Sequence, residues 1–311
     1  MNGRRTPPRR QRGVALITAM LIAALIAITA YSISFDASME ARRTSSLLYR
    51  DQAVQVALGA ESWIASILAD DLSNTDTDHL GEIWASELPG LPIDGGSVTG
   101  EIVDLQGRFN VNNLVDGNGE VDPLFLEQFE RLLVSLDIDP RFAGITADWI
   151  DSDRDASFPN GAEDGIYTGL TPPYRPPNQP LSNTTELAAI EGMDRATFRL
   201  LEPHIAALPG RTEINVNTAT FAVLQSLDEN LTASDVEGLV GERESSGFAD
   251  YQNTFSTLVT DEMLAELDES TSYFQLKVVV QIATVRITLY SLLERGQQGN
   301  VVPILRSLGT A

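Results

Sequence analysis

The chain has 311 residues, of which 43% are hydrophobic and 21% charged, with no cysteine and only two histidines, His79 and His204. The absence of cysteine excludes a thiol nucleophile, a cysteine-ligated metal site and disulfide bonds, and two histidines argue against a histidine-based metal site. The 44 acidic and 21 basic residues give a formal charge of −23, which opposes nucleic-acid binding and favours cation binding or high solubility.

The N-terminal region combines basic residues with a long apolar run. The first 13 residues contain five arginines and no acidic residue, and the next 22, residues 14–35, carry no charge. A helix of this length spans a bilayer. Because arginines precede the run and Asp36 and Glu40 follow it, we expect the N-terminus in the cytoplasm and the remainder exported. A plain membrane anchor is the alternative, and it leaves the Arg-Gly-Val junction at residues 12–14 unexplained.

Beyond the membrane the apolar residues continue at helical spacing, which predicts one helix from residue 14 to about residue 69. At about 1.5 Å per residue this helix is about 80 Å long, with half in the membrane and half packed on a folded head. The polar run 70–76 is expected to end it.

Strands are predicted on both sides of a helical region. Polar and apolar residues alternate over 97–105, and the pattern continues toward 107–112. The segments 273–280 and 281–293 are rich in valine, isoleucine, threonine and tyrosine and predict a second pair of strands. Between these strands, short helices are predicted at 123–136, 140–150, 184–192, 195–207, 219–227, 234–244 and 261–267. The expected fold class is therefore α+β: a long N-terminal helix on a small antiparallel sheet, with a large all-α insertion.

The acidic charge belongs to the insertion. Residues 111–270 carry a net charge of −22, whereas residues 271–311 carry +3. The densest acidic stretches are 148–155 and 161–167, and carboxylates at alternate positions of an irregular loop can converge on one hard cation such as calcium. The spacing departs from an EF-hand, because Ala156 replaces the turn glycine and Ala162 the bidentate glutamate. The candidate ligands are Asp151, Asp153, Asp155, Glu163 and Asp164.

Two other interpretations of the acidic segments stay open. The loop could be a solvated acidic surface, although its neighbours Trp149, Ile150 and Tyr167 are residue types that favour a buried, ordered loop. A second cluster, at residues 116–122, alternates acidic residues and asparagine around two glycines. An Asn-Gly turn explains that cluster more simply than a metal site does.

The N-terminal junction resembles a type IV prepilin leader, in which basic residues and a glycine precede a hydrophobic mature N-terminus. The resemblance implies cleavage after Gly13 by a membrane prepilin peptidase and methylation of the new amino group on Val14. Thr18 is the fifth residue after this cut, where most pilins carry a glutamate that pairs with a neighbouring subunit's amino terminus. If the cut lies elsewhere, Thr18 is simply another residue facing the membrane.

Several motifs together resemble the minor pseudopilin K family of type II secretion systems, and the threonine at position 18 also resembles that class. They are Asp148-Trp149-Ile150-Asp151-x-Asp153, Gly161-Ala162-Glu163-Asp164-x-x-Tyr167, Pro172-Pro173-Tyr174-x-Pro176-x-Asn178, Glu186-Leu187 and Ile214-Asn215-Val216-Asn217-Thr218-Ala219 followed by Leu224. The resemblance implies a pilin-like head with an α-helical insertion that binds Ca²⁺. It also implies a place at the tip of a periplasmic pseudopilus, where the protein initiates or caps assembly for export of folded proteins across the outer membrane.

The expected domains are the leader peptide 1–13, the N-terminal helix 14–70 with its membrane span 14–35, the head 71–110 and 271–311, and the insertion 111–270. The expected location is the bacterial inner membrane, with a single pass and a periplasmic C-terminal domain. The expected partners are the I and J minor pseudopilins, other pseudopilus and inner-membrane secretion components, the prepilin peptidase and the membrane, but no nucleic acid.

Other functions have weaker support in the sequence. Residues 214–227 with 242–248 are similar to a helix-hairpin-helix DNA-binding module, but Asp228 and Glu229 in the connection would repel a phosphate. Asp151 and Glu163 could form a general acid–base pair for glycoside hydrolysis, yet no catalytic motif accompanies them. We therefore expect no enzyme activity, and a calcium-dependent membrane-anchored periplasmic hydrolase or a type IV pilus tip subunit are the alternatives.

Overall fold

The longest element is helix α1, which spans Arg12–Leu72 in the computed structural model. The structure describes residues 12–86, 88–243 and 246–309, so residues 1–11 of the predicted leader lie outside the described residues. The predicted long helix is confirmed, and it ends inside the polar run expected to stop it. Among the described residues, α1 is also long and apolar enough to cross a membrane.

The strands and the remaining helices of the described residues follow α1 along the chain. The strands are β1 (Leu88–Ile93), β2 (Gly96–Asp104), β3 (Phe109–Asn110), β4 (Ile205–Ala206), β5 (Ile214–Asn215), β6 (Leu267–Asp268), β7 (Tyr273–Ile282), β8 (Val285–Arg295) and β9 (Val301–Leu308). The helices are α2 (Pro123–Ser135), α3 (Arg141–Ile150), α4 (Asp164–Tyr167), α5 (Arg195–Leu201), α6 (Phe221–Ser226), α7 (Ala233–Arg243), α8 (Tyr251–Phe255) and α9 (Asp261–Leu264). Short 3-10 helices lie at Val111–Leu114, Thr184–Ala189 and Glu202–His204.

The head is a five-stranded antiparallel sheet in the order β1-β2-β7-β8-β9. Alternate residues of β7 are buried, and these residues face the C-terminal half of α1. Small residues on the helix, Ala53 and Ala57, allow close approach to the sheet, and Trp84 packs edge-on against Phe274 with ring centroids 5.2 Å apart. Buried Glu61 also fixes the helix, because its carboxylate accepts hydrogen bonds from Arg306 of β9 (2.7 Å) and Ser291 of β8 (2.5 Å).

The predicted strands are confirmed in kind but not in extent. The turn between the C-terminal strands falls after Ile282, where Ala283 has φ 50°, so the predicted break between residues 280 and 281 was wrong. The continuation of the first strand into 107–112 was also wrong, because the chain leaves the sheet there and forms β3, which pairs with β4. Two strands were not predicted from the sequence: β1, which contains two prolines, and β9, which contains one.

The insertion has its own hydrophobic core. Its buried apolar residues run along the chain from Phe109 to Leu267, and the Phe109 and Phe129 rings stack with centroids 4.9 Å apart. The expectation that the insertion is all-α was wrong in one respect, since it contains two parallel strand pairs, β3-β4 and β5-β6, of two residues each. Such short pairs have too little periodicity to be recognised in a sequence.

Buried polar groups join the insertion to the head. Arg295 at the end of β8 is 4% exposed, donates to the carboxylate of Asp78 and to the carbonyl of Thr271 (2.8 Å), and lies 5.0 Å from the centre of the Phe274 ring. The Asp78 carboxylate also accepts a hydrogen bond from the backbone N–H of Thr271 (2.8 Å). This buried pair therefore holds together the loop after α1, the segment before β7 and the end of β8 within the head. The backbone of Asp78 makes the contacts with the insertion, because its N–H donates to the carbonyl of Glu269 (2.8 Å) and its carbonyl accepts a hydrogen bond from Asn215 (3.1 Å).

A second buried carboxylate continues the same junction. Asp104 at the end of β2 accepts hydrogen bonds from the backbone N–H of Gln106 (2.7 Å), from Asn215 (2.9 Å) and from Thr218 (2.5 Å). Burial raises the pKa of Asp104 to about 6, although these donors oppose that shift. The junction thus positions the insertion through directional hydrogen bonds and not through apolar contact alone.

We expect Asp78→Ala to lower the free energy of unfolding by about 3–5 kcal/mol, because it removes the closest anionic partner of the buried Arg295 guanidinium and leaves only Asp71, at 3.5 Å. Urea denaturation of the detergent-solubilised chain measures this loss. Glu101→Ala is the control, since it breaks an exposed ion pair of 3.3 Å with Lys277 and should cost less than about 1 kcal/mol. Equal losses in the two variants would contradict this account of the junction.

Candidate cation site in the acidic loop

The acidic loop connects α3 to α4, and each of the two helix ends that adjoin the loop positions one carboxylate. Asp151 caps the C-terminus of α3, and Glu163 caps the N-terminus of α4. Helix α3 is buried over most of its length because its apolar residues, among them Trp149 and Ile150, enter the insertion core. Packing of α3 therefore fixes where Asp151 lies.

Three carboxylates meet in this loop. Oxygen atoms of Asp151, Asp153 and Glu163 all lie within 4.8 Å of one another. Asp151 is 2% exposed and Glu163 is 4% exposed, whereas Asp153 is exposed. The buried Oδ1 atom of Asp151 accepts no hydrogen bond from the described residues. A buried carboxylate oxygen without a donor is costly, and a cation beside it would remove that cost.

The electrostatics of the cluster also favour a cation. Burial, followed by the negative charges of Asp153, Asp148 and Glu163, raises the pKa of Asp151 to about 7. Burial and the charge of Asp148 also raise the pKa of Glu163. The fold therefore holds these carboxylates together against mutual repulsion, and hard cations such as calcium prefer such oxygen donors.

Two of the predicted ligands lie outside this cluster. Asp155 is exposed, and its backbone N–H donates to Oδ1 of Asp153 (2.7 Å). Asp164 forms an ion pair of 3.1 Å with Arg175. The structure therefore brings together Asp151, Asp153 and Glu163 but not Asp155 or Asp164.

The predicted ligand set omitted two residues that shape the loop. Asp148 is fully buried and accepts a hydrogen bond from the backbone N–H of Ser157 (3.0 Å), and a Cβ atom at Gly161 would overlap its carboxylate. Asn178 donates to the backbone carbonyl of Asp153 and to Oε1 of Glu163 (3.4 Å). Asp148 precedes Asp151 by three residues, a helical spacing that could have revealed it. Asn178 is distant in sequence and gave no such signal.

Three aromatic residues that flank the acidic loop in the sequence pack against one another. The Trp149 and Tyr167 rings pack edge to face at an angle of 70° with centroids 5.1 Å apart, and the ring centroid of Tyr174 lies 5.4 Å from that of Tyr167. The Tyr174 hydroxyl donates to the carbonyl of Ala189 (2.6 Å). The two ends of the acidic loop are thus packed against the core, as its neighbours predicted, whereas residues 152–156 and 158–160 between them are exposed.

The second acidic segment forms a turn. The carboxylate of Asp116 accepts the backbone N–H groups of Asn118 (2.8 Å) and Glu120 (3.0 Å), and Gly119 has φ +80°. The turn contacts the acidic loop, because the backbone N–H of Ser152 donates to the carbonyl of Gly119 (3.0 Å). The expected Asn-Gly turn is confirmed.

Another acidic cluster lies in the head, and an arginine of the chain balances part of its negative charge. Oxygens of Asp71, Asp78 and Glu82 also lie within 4.8 Å of one another. Arg295 pairs with two of them, at 3.5 Å from Asp71 and through the short hydrogen bond to Asp78. The chain itself thus supplies a positive charge here, which it does not do for Asp151, Asp153 and Glu163 among the described ion pairs.

Comparison with known families identifies relatives of the insertion. Two family models, both described as type II secretion system (T2SS) protein K, match residues 107–210 and 214–265. These ranges contain the acidic loop, the turn at Asp116 and helices α2 to α9. The matched region therefore covers about half of the chain and coincides with the part that carries the candidate site.

Similarity extends over the whole chain. The type II secretion system protein K of Pseudomonas aeruginosa is 33% identical over 315 aligned residues, covering 97% of this chain and 94% of that protein. The protein of the same name in Aeromonas hydrophila is 30% identical and covers 97% of this chain and 98% of its own. A crystal structure of the GspK-GspI-GspJ complex from the enterotoxigenic Escherichia coli type 2 secretion system contains a chain similar to this one. The TM-score is 0.77 at 27% identity, and the match covers 86% of this chain and 100% of that chain.

Without metal, we expect the free energy of unfolding to rise as the pH falls from about 7 towards 4. The raised pKa means that the folded chain holds the proton of Asp151 more tightly than the unfolded chain does, and the slope from one group is at most about 1.4 kcal/mol per pH unit. Asp151→Asn should reduce this slope and stabilise the metal-free protein at pH 8. Thermal unfolding in chelator tests this, with Asp155→Asn as the control outside the cluster. An unchanged slope in Asp151→Asn would refute the electrostatic account.

Proposed function

This chain belongs to the type II secretion system protein K family, and we propose that it occupies the tip of the pseudopilus, where it initiates or caps assembly. The family match over nearly the whole chain carries this conclusion. The chain is a minor pseudopilin, a structural component of the pseudopilus. Its proposed task at the tip is to support export of folded proteins across the outer membrane.

The residue at position 18 supports a tip location. The hydroxyl of Thr18 donates to the carbonyls of Val14 and Ala15, both at 3.1 Å, so its hydrogen bonds are satisfied within its own helix. It offers no carboxylate to the amino terminus of another subunit. An unpaired charge inside a membrane is expensive, so a subunit stacked above this one would lose a favourable contact.

The insertion supports the same location by its size and charge. It exceeds the head in length, and its net charge of −22 repels further copies of the same chain. A shaft subunit must accept an identical neighbour above and below. We therefore propose one copy per pseudopilus, in a complex of unlike subunits.

The proposed partners follow from the solved complex with which this chain shares its fold. That complex contains GspI and GspJ beside GspK. We propose that this chain binds the I and J minor pseudopilins, as well as other pseudopilus and inner-membrane components. Helix α1 would hold it in the inner membrane before assembly, with the head and insertion in the periplasm.

We propose calcium as the ligand of the acidic loop. The carboxylates of Asp151, Asp153 and Glu163 supply oxygen donors, and the unpaired Oδ1 atom of Asp151 fits a cation. When bound, calcium would neutralise the repulsion among these carboxylates and fix the loop between α3 and α4. The role is structural, and we infer that the protein is not an enzyme.

The proposed maturation step is cleavage after Gly13 by the prepilin peptidase, followed by methylation of Val14. Mass spectrometry of the membrane-extracted protein tests it directly. We expect the mature chain to begin at Val14 with one added methyl group. An intact Met1, or export in a strain without the peptidase, would contradict this proposal.

Calcium should raise the thermal stability of the folded chain. At a free concentration 100 times the dissociation constant, the gain is about 2.7 kcal/mol, and chelator should remove it.

Because binding requires ionised Asp151, whose pKa is about 7, calcium affinity should fall as the pH drops from 8 to 6. Glu163→Gln should weaken binding, whereas Asp164→Asn should change it little because Asp164 pairs with Arg175. Melting curves that change with neither calcium nor chelator would contradict the proposal.

Co-expression with the I and J minor pseudopilins of the same secretion system should yield a complex with one copy of this chain. Native mass spectrometry of the detergent-extracted complex counts the copies. The matched control is the same chain expressed alone, which we expect to be monomeric. Filaments built from this chain alone would contradict a tip role.

A further inference from the structure

The outer edge of β9 is an open hydrogen-bonding surface. The strand lies at one end of the head sheet, and among the described residues only β8 pairs with it. Four of its apolar side chains are at least 41% exposed: Val302, Ile304, Leu305 and Leu308. An exposed apolar edge strand is a template for pairing with another strand, and proteins normally protect such edges.

The register identifies which backbone groups point outward. The N–H of Gly309 donates to the carbonyl of Thr288 (2.8 Å), so residues 288 and 309 lie opposite each other at a hydrogen-bonded position between β8 and the end of β9. Because such pairs alternate in an antiparallel ladder, Leu305 and Ser307 face β8, and the N–H and C=O groups of Arg306 and Leu308 face away from the sheet. Each of these two residues therefore offers a donor and an acceptor to a further strand.

Prolines in both edge strands of the head sheet limit the pairing of a further strand. At the opposite edge, β1 contains Pro89 and Pro92. In β9, Pro303 occupies an outward-facing position before a bulge, where the missing N–H prevents pairing. After this bulge, the outward-facing residues of β9 are Arg306 and Leu308.

We infer that Arg306 and Leu308 at the outer edge of β9 accept an antiparallel or parallel strand from the head of another minor pseudopilin. Two observations favour an unlike subunit over a second copy. The insertion charge of −22 opposes the approach of a copy, and the only charged side chain of β9, that of Arg306, is already paired with Glu61, so the edge presents no free charge against an apolar strand. This inference rests on the proposed complex of unlike minor pseudopilins.

Hydrogen exchange of the full chain tests this pairing, in detergent, alone and with the I and J minor pseudopilins added separately and together. We expect the amides of Arg306 and Leu308 to gain at least about tenfold protection in the complex, while those of Leu305 and Ser307 are protected already in the chain alone. A complex without this change would overturn the inference but leave the proposed function intact. Protection that appears on concentrating the chain alone would assign the edge to a second copy and also overturn it.

A pair of variants separates backbone pairing from side-chain contact. Leu308→Pro removes the outward N–H, whereas Leu308→Ala removes the side chain and keeps the N–H. We expect Leu308→Pro to weaken partner binding by about tenfold more than Leu308→Ala, measured by titration with the partner that protects the edge. Equal losses would contradict strand pairing, and the exchange measurement on the unaltered chain decides the case if Leu308→Pro fails to fold.

Discussion

One helix has to satisfy two environments, and the rest of the molecule depends on that constraint. The N-terminal part of α1 is apolar and exposed, as a membrane span requires, while its C-terminal part must bury one face on a small sheet. Small residues at Ala53 and Ala57 permit close packing, and the ion pair between buried Glu61 and half-exposed Arg306 fixes the helix against β9. A rotation of α1 would break this pair and expose the apolar face, so the head has one defined position on the helix.

The insertion is attached to this head by polar contacts that impose geometry. Arg295 holds Asp78 in a buried site of the head, and the backbone of Asp78 forms hydrogen bonds with Glu269 and Asn215 of the insertion. Asp104 accepts hydrogen bonds from Gln106 of the head and from Asn215 of the insertion. Buried polar groups are costly unless all partners are in place, so this junction favours a single arrangement of insertion and head. The acidic loop differs, because its carboxylates lack a positive partner from the described chain and are completed by calcium in our proposal.

Elements with a sustained pattern of apolar residues could be predicted from the sequence, whereas features set by tertiary contacts could not. The apolar run and its helical continuation revealed α1, alternation revealed β2, and the abundance of valine, isoleucine, threonine and tyrosine revealed the C-terminal pair of strands. Strand β9 was missed because its exposed apolar residues and Pro303 do not alternate, and edge strands are shaped by their neighbours. In the loop, Asp151, Asp153 and Glu163 converge as expected, but Asn178 approaches them only through the fold.

The most direct test of a tip role is the position of this chain in assembled pseudopili. The chain has no native cysteine, so Glu229→Cys in the exposed α6–α7 connection of the insertion provides a unique attachment point for a gold label. Electron microscopy of labelled pseudopili should show one gold particle at one end of each filament. Particles distributed along the shaft would contradict the account.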